Sequence, residues 1–177
     1  MHRALTQLDS EIARSIAGLS PHSLHIRPLN DPTAWTIGQI VEHLLLTYGS
    51  TTAAMEARLK KGRPTQAATS IRQRIARVFV LQIGWIPGRN EAPPEVRPEL
   101  FPSVPYPAAD QLLVETHRSL VTMDSVLTKT EQHFGSVACQ SHFALGPMSI
   151  VQWRRFHFVH GMHHIRQILR IRRMHHC

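Results

Sequence analysis

Cysteine is scarce in this chain of 177 residues, which contains only Cys139 and Cys177. The two residues lie far apart, and neither belongs to a C-x-x-C pair. The sequence therefore supports neither a disulfide-stabilised fold nor a zinc site built from cysteines.

The chain also lacks a long apolar run. Its longest stretch without Asp, Glu, Lys or Arg, 132–153, contains two histidines together with Gly, Pro, Gln and Ser. Such a stretch cannot form a continuous apolar span of about 20 residues across a bilayer. The first residues include Asp9 and Glu11 and have no apolar core of a secretory signal. We therefore predict no membrane partner and a cytoplasmic location.

Acidic side chains are the minority among the charges, with 12 Asp and Glu against 20 Lys and Arg and a formal net charge of +8. Such a charge attracts nucleic acid, anionic lipid or small anions. Several arginines near the C-terminus scatter around the predicted last helix, and no recognised nucleic-acid-binding motif accompanies them. We predict a solvated basic surface and keep nucleic-acid binding as a less favoured alternative. These arginines are Arg154, Arg155, Arg166, Arg170, Arg172 and Arg173.

Apolar residues recur at spacings of three and four along most of the chain, which is typical of amphipathic helices. Thr36 with Gln39, and Ser149 with Gln152, have the spacing of capping boxes at helix starts. No alternation of period two is long enough to predict a strand. We therefore predict an all-α, up-and-down four-helix bundle, with the N-terminal helix either as an extra short helix or as the first bundle member. The predicted helices are 3–17, 36–60, 69–85, 108–130 and 149–173.

Proline is concentrated in one segment, because seven of the 12 prolines fall within 87–107. Proline lacks a backbone N–H group and is excluded from helix interiors and from nearly all sheet interiors. We predict that 87–107 is an ordered crossover or a lid. No internal repeat or linker divides the chain, so 1–177 is predicted to be a single domain.

Histidine is the most over-represented residue type, with 13 copies. On the last predicted helix, His160 and His164 fall on the stripe that should face the core. Two histidines at i and i+4 can bind one metal ion, and the alternative is a pair of hydrogen-bonded core residues. His163 points about 100° away from His164 on a helix and should not join them. The zinc-protease signature HExxH is not met, because Gly161 stands where its glutamate would be.

Two stretches carry a resemblance to a known family: WTIGQIVEHLLLTY at 35–48 and GPMSIVQWRRFHFVHGMHHIRQILRI at 146–171. Together they resemble the DinB/YfiT-like superfamily of metalloenzymes, in which a Trp-led helix ends in a histidine and the final helix carries H-x-x-H-H-x-x-Q. The resemblance implies a four-helix bundle that binds a divalent metal, most often nickel or zinc. Carried over residue by residue, it places the metal ligands at His43, His160 and His164.

The resemblance also implies an activity. Characterised relatives include transferases and isomerases that use low-molecular-weight thiols such as bacillithiol, mycothiol or glutathione. We therefore expect a metal-dependent S-transferase or a related hydrolase acting on a small molecule, with an anionic thiol as a partner that suits the basic charge. A metal-binding protein without turnover is the alternative, and a homodimer is compatible with either.

Two polar residues, Gln167 and Glu42, lie next to the expected metal ligands in the sequence. Gln167 lies one turn beyond His164 and either orients a ligand or bound water as an outer-sphere group, or is a core amide bonded to backbone. Glu42 adjoins His43 in sequence and is predicted to face solvent. No residue is identified from the sequence as the catalytic base.

Overall fold

Five α-helices and one short β-hairpin form the protein in the computed structural model, which describes residues 1–86, 92–99 and 106–177. A π-helical segment, Val78–Ile83, follows α3, and two 3₁₀ turns occur at Ser23–His25 and Pro94–Val96. The helices are α1 (Arg3–Ile16), α2 (Ile37–Lys61), α3 (Ile71–Arg77), α4 (Ala109–Phe134) and α5 (Ile150–His175), and the strands are β1 (Gln140–His142) and β2 (Gly146–Met148).

Both predicted capping boxes are confirmed at the starts of α2 and α5. The Gln39 backbone N–H donates to Thr36 Oγ1 at 3.2 Å, and the Thr36 N–H donates to Gln39 Oε1 at 2.9 Å. Ser149 and Gln152 form the same reciprocal pair. Each box satisfies two of the backbone N–H groups that a helix start leaves unpaired. The two helices that carry the candidate ligands therefore begin at well-defined residues.

The bundle consists of α1, α2, α4 and α5, with α2 packed along α4 and α1 packed along α5. The N-terminal helix is thus a full bundle member. Its apolar stripe is completely buried, as the period of the sequence predicts. The all-α bundle is confirmed. The fully buried residues of α1 are Leu5, Leu8, Ile12 and Ile16.

The predicted helix over 69–85 is helical in the structure over 71–83, but it is not one of the four bundle helices. The α-helical part is only α3, and it continues as the π-helical segment Val78–Ile83. The apolar residues Ile71, Ile75 and Val78 are exposed, with Ile71 at 76%. A narrower strip that includes Ala76 and Val80 packs on the core instead. The wider π-helical turn changes which residues share a face, and the 3.6-residue period cannot reveal this.

The β-hairpin was not predicted either. β1 pairs antiparallel with β2, and Gln140 lies opposite Met148. At the turn, His142 Nδ1 accepts hydrogen bonds from the backbone N–H groups of Ala144 and Leu145 at 3.1 and 3.3 Å. Strands of three residues are too short to show a period of two, which explains why the sequence did not indicate them.

Part of the proline-rich segment 87–107 packs against α2. Within 92–99, the Glu99 carbonyl accepts a hydrogen bond from Gln39 Nε2 at 2.7 Å. This contact agrees with an ordered crossover for 92–99, whereas the same prediction for 87–91 and 100–105 lies outside the described residues. No helix in the described part of the chain is long and apolar enough to cross a membrane.

The prediction of a solvated basic surface along α5 is wrong at Arg154. Its side chain is only 7% exposed and donates to Asp124 Oδ1 at 2.9 Å and to Glu131 Oε2 at 2.6 Å. A third bond reaches Thr128 Oγ1 at 2.9 Å. Arg154 faces α4, where these partners lie, and it joins two helices of the bundle. Its guanidinium is therefore not available to a nucleic-acid backbone.

Candidate metal centre

Three histidines from two helices converge in the core of the bundle. His43 comes from the second turn of α2, and His160 and His164 come from successive turns of α5. Their candidate ligand nitrogens all lie within 4.8 Å of one another. Nε2 of His160 is 3.2 Å from Nε2 of His43 and 3.2 Å from Nε2 of His164. Nitrogens held about 2.0–2.1 Å from a tetrahedral zinc ion would be about 3.3 Å apart, so the spacing suits one shared ion.

Hydrogen bonds fix the tautomers of two of these rings. His43 Nδ1 lies 2.6 Å from the Val96 carbonyl oxygen, and His164 Nδ1 lies 2.8 Å from Gln167 Oε1. Both oxygens can only accept, so each Nδ1 carries the proton and donates it. The Nε2 atom of each ring therefore keeps its lone pair and directs it toward His160 Nε2.

The three rings are neutral in the folded protein. Burial lowers the pKa of His43, lowers that of His164 to about 3 and lowers that of His160 well below the ordinary value. The neighbouring imidazoles lower the pKa of His160 and His164 further, because like charges would repel. Neutral imidazole is the form that binds metals.

Hydrogen bonding alone does not satisfy this cluster. A proton on His160 Nε2 can be donated to one neighbouring Nε2, which leaves the other without a donor. With the proton of His160 on Nδ1 instead, three Nε2 lone pairs face one another with no donor between them, and the buried Nδ1 has no hydrogen-bond partner among the described residues. A cation placed between the three Nε2 atoms would meet three lone pairs at once. The residues present therefore fit a divalent metal ion, and the donor set does not select its identity.

Aromatic rings flank the histidine cluster. The Trp35 ring lies 4.9 Å from the His43 ring and stacks on His164 at 6.2 Å, measured between centroids. Phe156 stacks on His160 at 5.3 Å, with an interplanar angle of 21°. These contacts restrict rotation of all three imidazoles and surround the cluster with apolar surface.

Gln167 lies where its sequence position indicated, against His164. Its Oε1 accepts from His164 Nδ1, and its Nε2 lies 3.1 Å from Nε2 of His163. His163 itself lies outside the cluster of three, as its angle on the helix predicted. Gln167 thus connects the neighbouring His163 to the ring of His164 and holds that ring in orientation.

The prediction that Glu42 faces solvent is wrong. Its Oε2 atom is buried, and burial raises the pKa of this carboxyl group, with Glu99 and Tyr106 beside it. The backbone around Glu99 packs against α2, so a side chain on this face of the helix is covered. The carboxyl group does not belong to the histidine cluster.

The Val96 carbonyl, which fixes the tautomer of His43, could not be identified from the sequence. A backbone acceptor leaves no signature in residue type, so only the proline-rich composition around Val96 drew attention to this segment. His157 is fully buried, and its Nε2 lies 3.1 Å from Thr51 Oγ1.

Comparisons with known proteins agree with the architecture and with the motifs. The family model described as the DinB superfamily matches residues 4–168, a range that includes His43, His160 and His164. The comparison with curated proteins gave no match, and the comparison with solved structures gave none. A family model that covers this much of the chain establishes membership, and the protein belongs to the DinB superfamily.

Proposed function

We propose that this protein is a metal-dependent enzyme of the thiol S-transferase type, with His43, His160 and His164 as the ligands of a nickel or zinc ion. The observation that carries the proposal is the convergence of three neutral imidazoles, with His160 Nε2 at 3.2 Å from Nε2 of both His43 and His164 and no carboxylate in the cluster. An ion held by three neutral imidazoles keeps its full charge and lowers the pKa of a bound thiol or water.

The protein's own residues prepare this site in three ways. The Val96 carbonyl and Gln167 hold His43 and His164 in the tautomer that presents Nε2. Trp35 and Phe156 restrict the rings and exclude water from their faces. Three histidine ligands leave at least one position of a tetrahedral ion open, which is the pattern of catalytic rather than structural zinc sites.

The charge of the chain supports an anionic cosubstrate. The net charge of +8 attracts a carboxylate-bearing thiol over a distance set by ionic screening. On α5, Arg166 and Arg170 are exposed on the turns that carry and follow His164. A related hydrolase, in which water takes the place of the thiol, would use the same ligands, so the assay must separate the two.

The test is a turnover assay on metal-free protein reloaded with zinc or with nickel. Bacillithiol, mycothiol and glutathione are each supplied with an electrophile such as monochlorobimane, and hydrolysis of an activated ester is measured in parallel. We expect transfer of at least one thiol only in the presence of metal. Dominant ester hydrolysis with no thiol transfer would favour the hydrolase.

Two variants make the assay specific to the cluster. His160→Ala should abolish metal binding and turnover together while circular dichroism shows unchanged helical content. His163→Ala, a change of the same type on the same helix but outside the cluster, should keep the metal. If the loaded protein transferred no tested thiol and hydrolysed no ester, and His160→Ala unfolded the bundle, the metal would serve stability rather than catalysis.

A further inference from the structure

A groove on the outside of the bundle collects three arginines and lies away from the histidine cluster. We call it the arginine groove. It runs between α3 with its π-helical continuation and the first two turns of α5. The residues that define it are Arg74, Arg77 and Arg155, with Val78, Leu81 and Val151 as apolar walls.

The positive charge of the arginine groove has no counter-ion in the part of the chain that the structure describes. No carboxylate among the described residues pairs with any of the three guanidinium groups. Arg77 donates to Thr69 Oγ1 at 3.3 Å, and its buried Nε has no hydrogen-bond partner in the described chain. Arg155 donates through Nε to the Leu81 carbonyl at 3.0 Å, which leaves its terminal nitrogens for another acceptor.

These three side chains contrast with Arg154, the next residue on α5. Arg154 has two carboxylate partners and is buried. Guanidinium groups that line one groove without counter-ions repel one another, and an anion that binds several of them relieves this repulsion. The arrangement therefore points to an anionic ligand supplied from outside the chain.

The groove also offers apolar contact and a favourable helix end. Val78 and Val151 are 45% and 64% exposed, so each presents a large apolar surface beside the charges. Val151 and Gln152 belong to the first turn of α5, whose 26 residues place the positive end of the helix dipole at this point. A ligand that combines an anionic head with an apolar body would use all three features.

The arginine groove is separate from the histidine cluster. Arg155 precedes His160 by five residues, which is about 7.5 Å along the axis and about 140° around it. His160 faces the other ligands in the core, whereas Arg155 is exposed. A molecule in the groove therefore does not occupy the position between the three histidines.

We propose that the arginine groove binds an organic phosphate, with the phosphate group between Arg74, Arg77 and Arg155 and the apolar body against Val78 and Val151. Three guanidinium groups offer more donors than the two oxygens of a carboxylate can accept, and a phosphate monoester matches them better in charge and in number of acceptors.

The experiment is a calorimetric titration of the purified protein with 1-naphthyl phosphate, and inorganic phosphate is titrated separately. We expect naphthyl phosphate to bind more tightly, because only it contacts the apolar walls. Arg74→Gln and Arg77→Gln should each weaken its binding about tenfold, the usual effect of losing one charge-assisted hydrogen bond. Arg118→Gln, a matched change at an exposed arginine of α4, should leave binding unchanged.

Two further measurements define the source and the site. Sedimentation with vesicles that contain phosphatidic acid tests whether a lipid headgroup supplies the phosphate. If the original chain binds these vesicles and Arg74→Gln does not, the ligand of the arginine groove is a lipid. His160→Ala should keep full affinity for naphthyl phosphate. Loss of binding in a His160→Ala protein whose circular dichroism is unchanged would overturn the proposal. Equal weakening in Arg118→Gln and the groove variants, or unchanged binding in Arg74→Gln and Arg77→Gln, would overturn it as well.

Discussion

Replacing Gln167 with leucine should weaken metal binding without unfolding the protein. The change removes the acceptor of the 2.8 Å hydrogen bond from His164 Nδ1 and leaves a buried N–H group without a partner. Such outer-sphere partners of ligating histidines are typically worth 10–100-fold in metal affinity, or about 1.4–2.7 kcal/mol. The cost of an unsatisfied buried donor, about 1–3 kcal/mol, falls in the same range.

The assay is a competition titration, in which the metal-free protein and a chromophoric chelator compete for zinc. Gln167→Glu provides the informative comparison, because a carboxylate still accepts from His164 Nδ1 and should give an affinity equal to or tighter than that of the original chain. Gln111→Leu, at an exposed position of α4, controls for the chemistry of the substitution. Zinc affinity within twofold of the original in Gln167→Leu would show that Gln167 does not orient His164 for metal binding.

Three further predictions concern stability. Gly161→Ala places a methyl group against the buried Leu8 side chain and should lower the free energy of unfolding by about 1–2 kcal/mol in urea titrations. A variant more stable than the original chain would show that the Leu8 side chain moves aside without cost. Arg154→Leu leaves Asp124 buried without its cation and should cost about 3 kcal/mol in the same assay, and a loss under 1 kcal/mol would contradict this. Burial lowers the pKa of His157 to about 3, so the folded chain keeps it neutral while the unfolded chain binds a proton below about pH 6.5. The stability of the original chain relative to His157→Gln should therefore fall by roughly 2 kcal/mol between pH 7 and pH 5, and a difference independent of pH would refute this.

The parts of the fold that the sequence predicts are those set by local chemistry. Thr36 with Gln39 and Ser149 with Gln152 mark helix starts because a capping box is complete within four residues. The region around Val80 could not be predicted, because the π-helical turn there replaces the regular period by a wider one. Its effect on burial depends on packing against α5, which no local pattern records.

The candidate metal site could likewise be predicted from the sequence only in part. His160 and His164 are recognisable as a pair because both lie on one helix, four residues apart. His43 lies on another helix, and only the resemblance of its surrounding motif to a family associated it with them before the structure brought the three together. The Val96 carbonyl has no residue-type signal at all, because any residue supplies a backbone oxygen.

An anomalous-difference map from crystals of the zinc-loaded protein shows whether one metal ion binds between His43, His160 and His164. We predict a single strong peak about 2.0–2.1 Å from Nε2 of each histidine, with His43 and His164 still donating through Nδ1. A map without a peak between these three nitrogens at saturating zinc, or with the metal bound by other residues, would show that the three histidines are not a shared metal site.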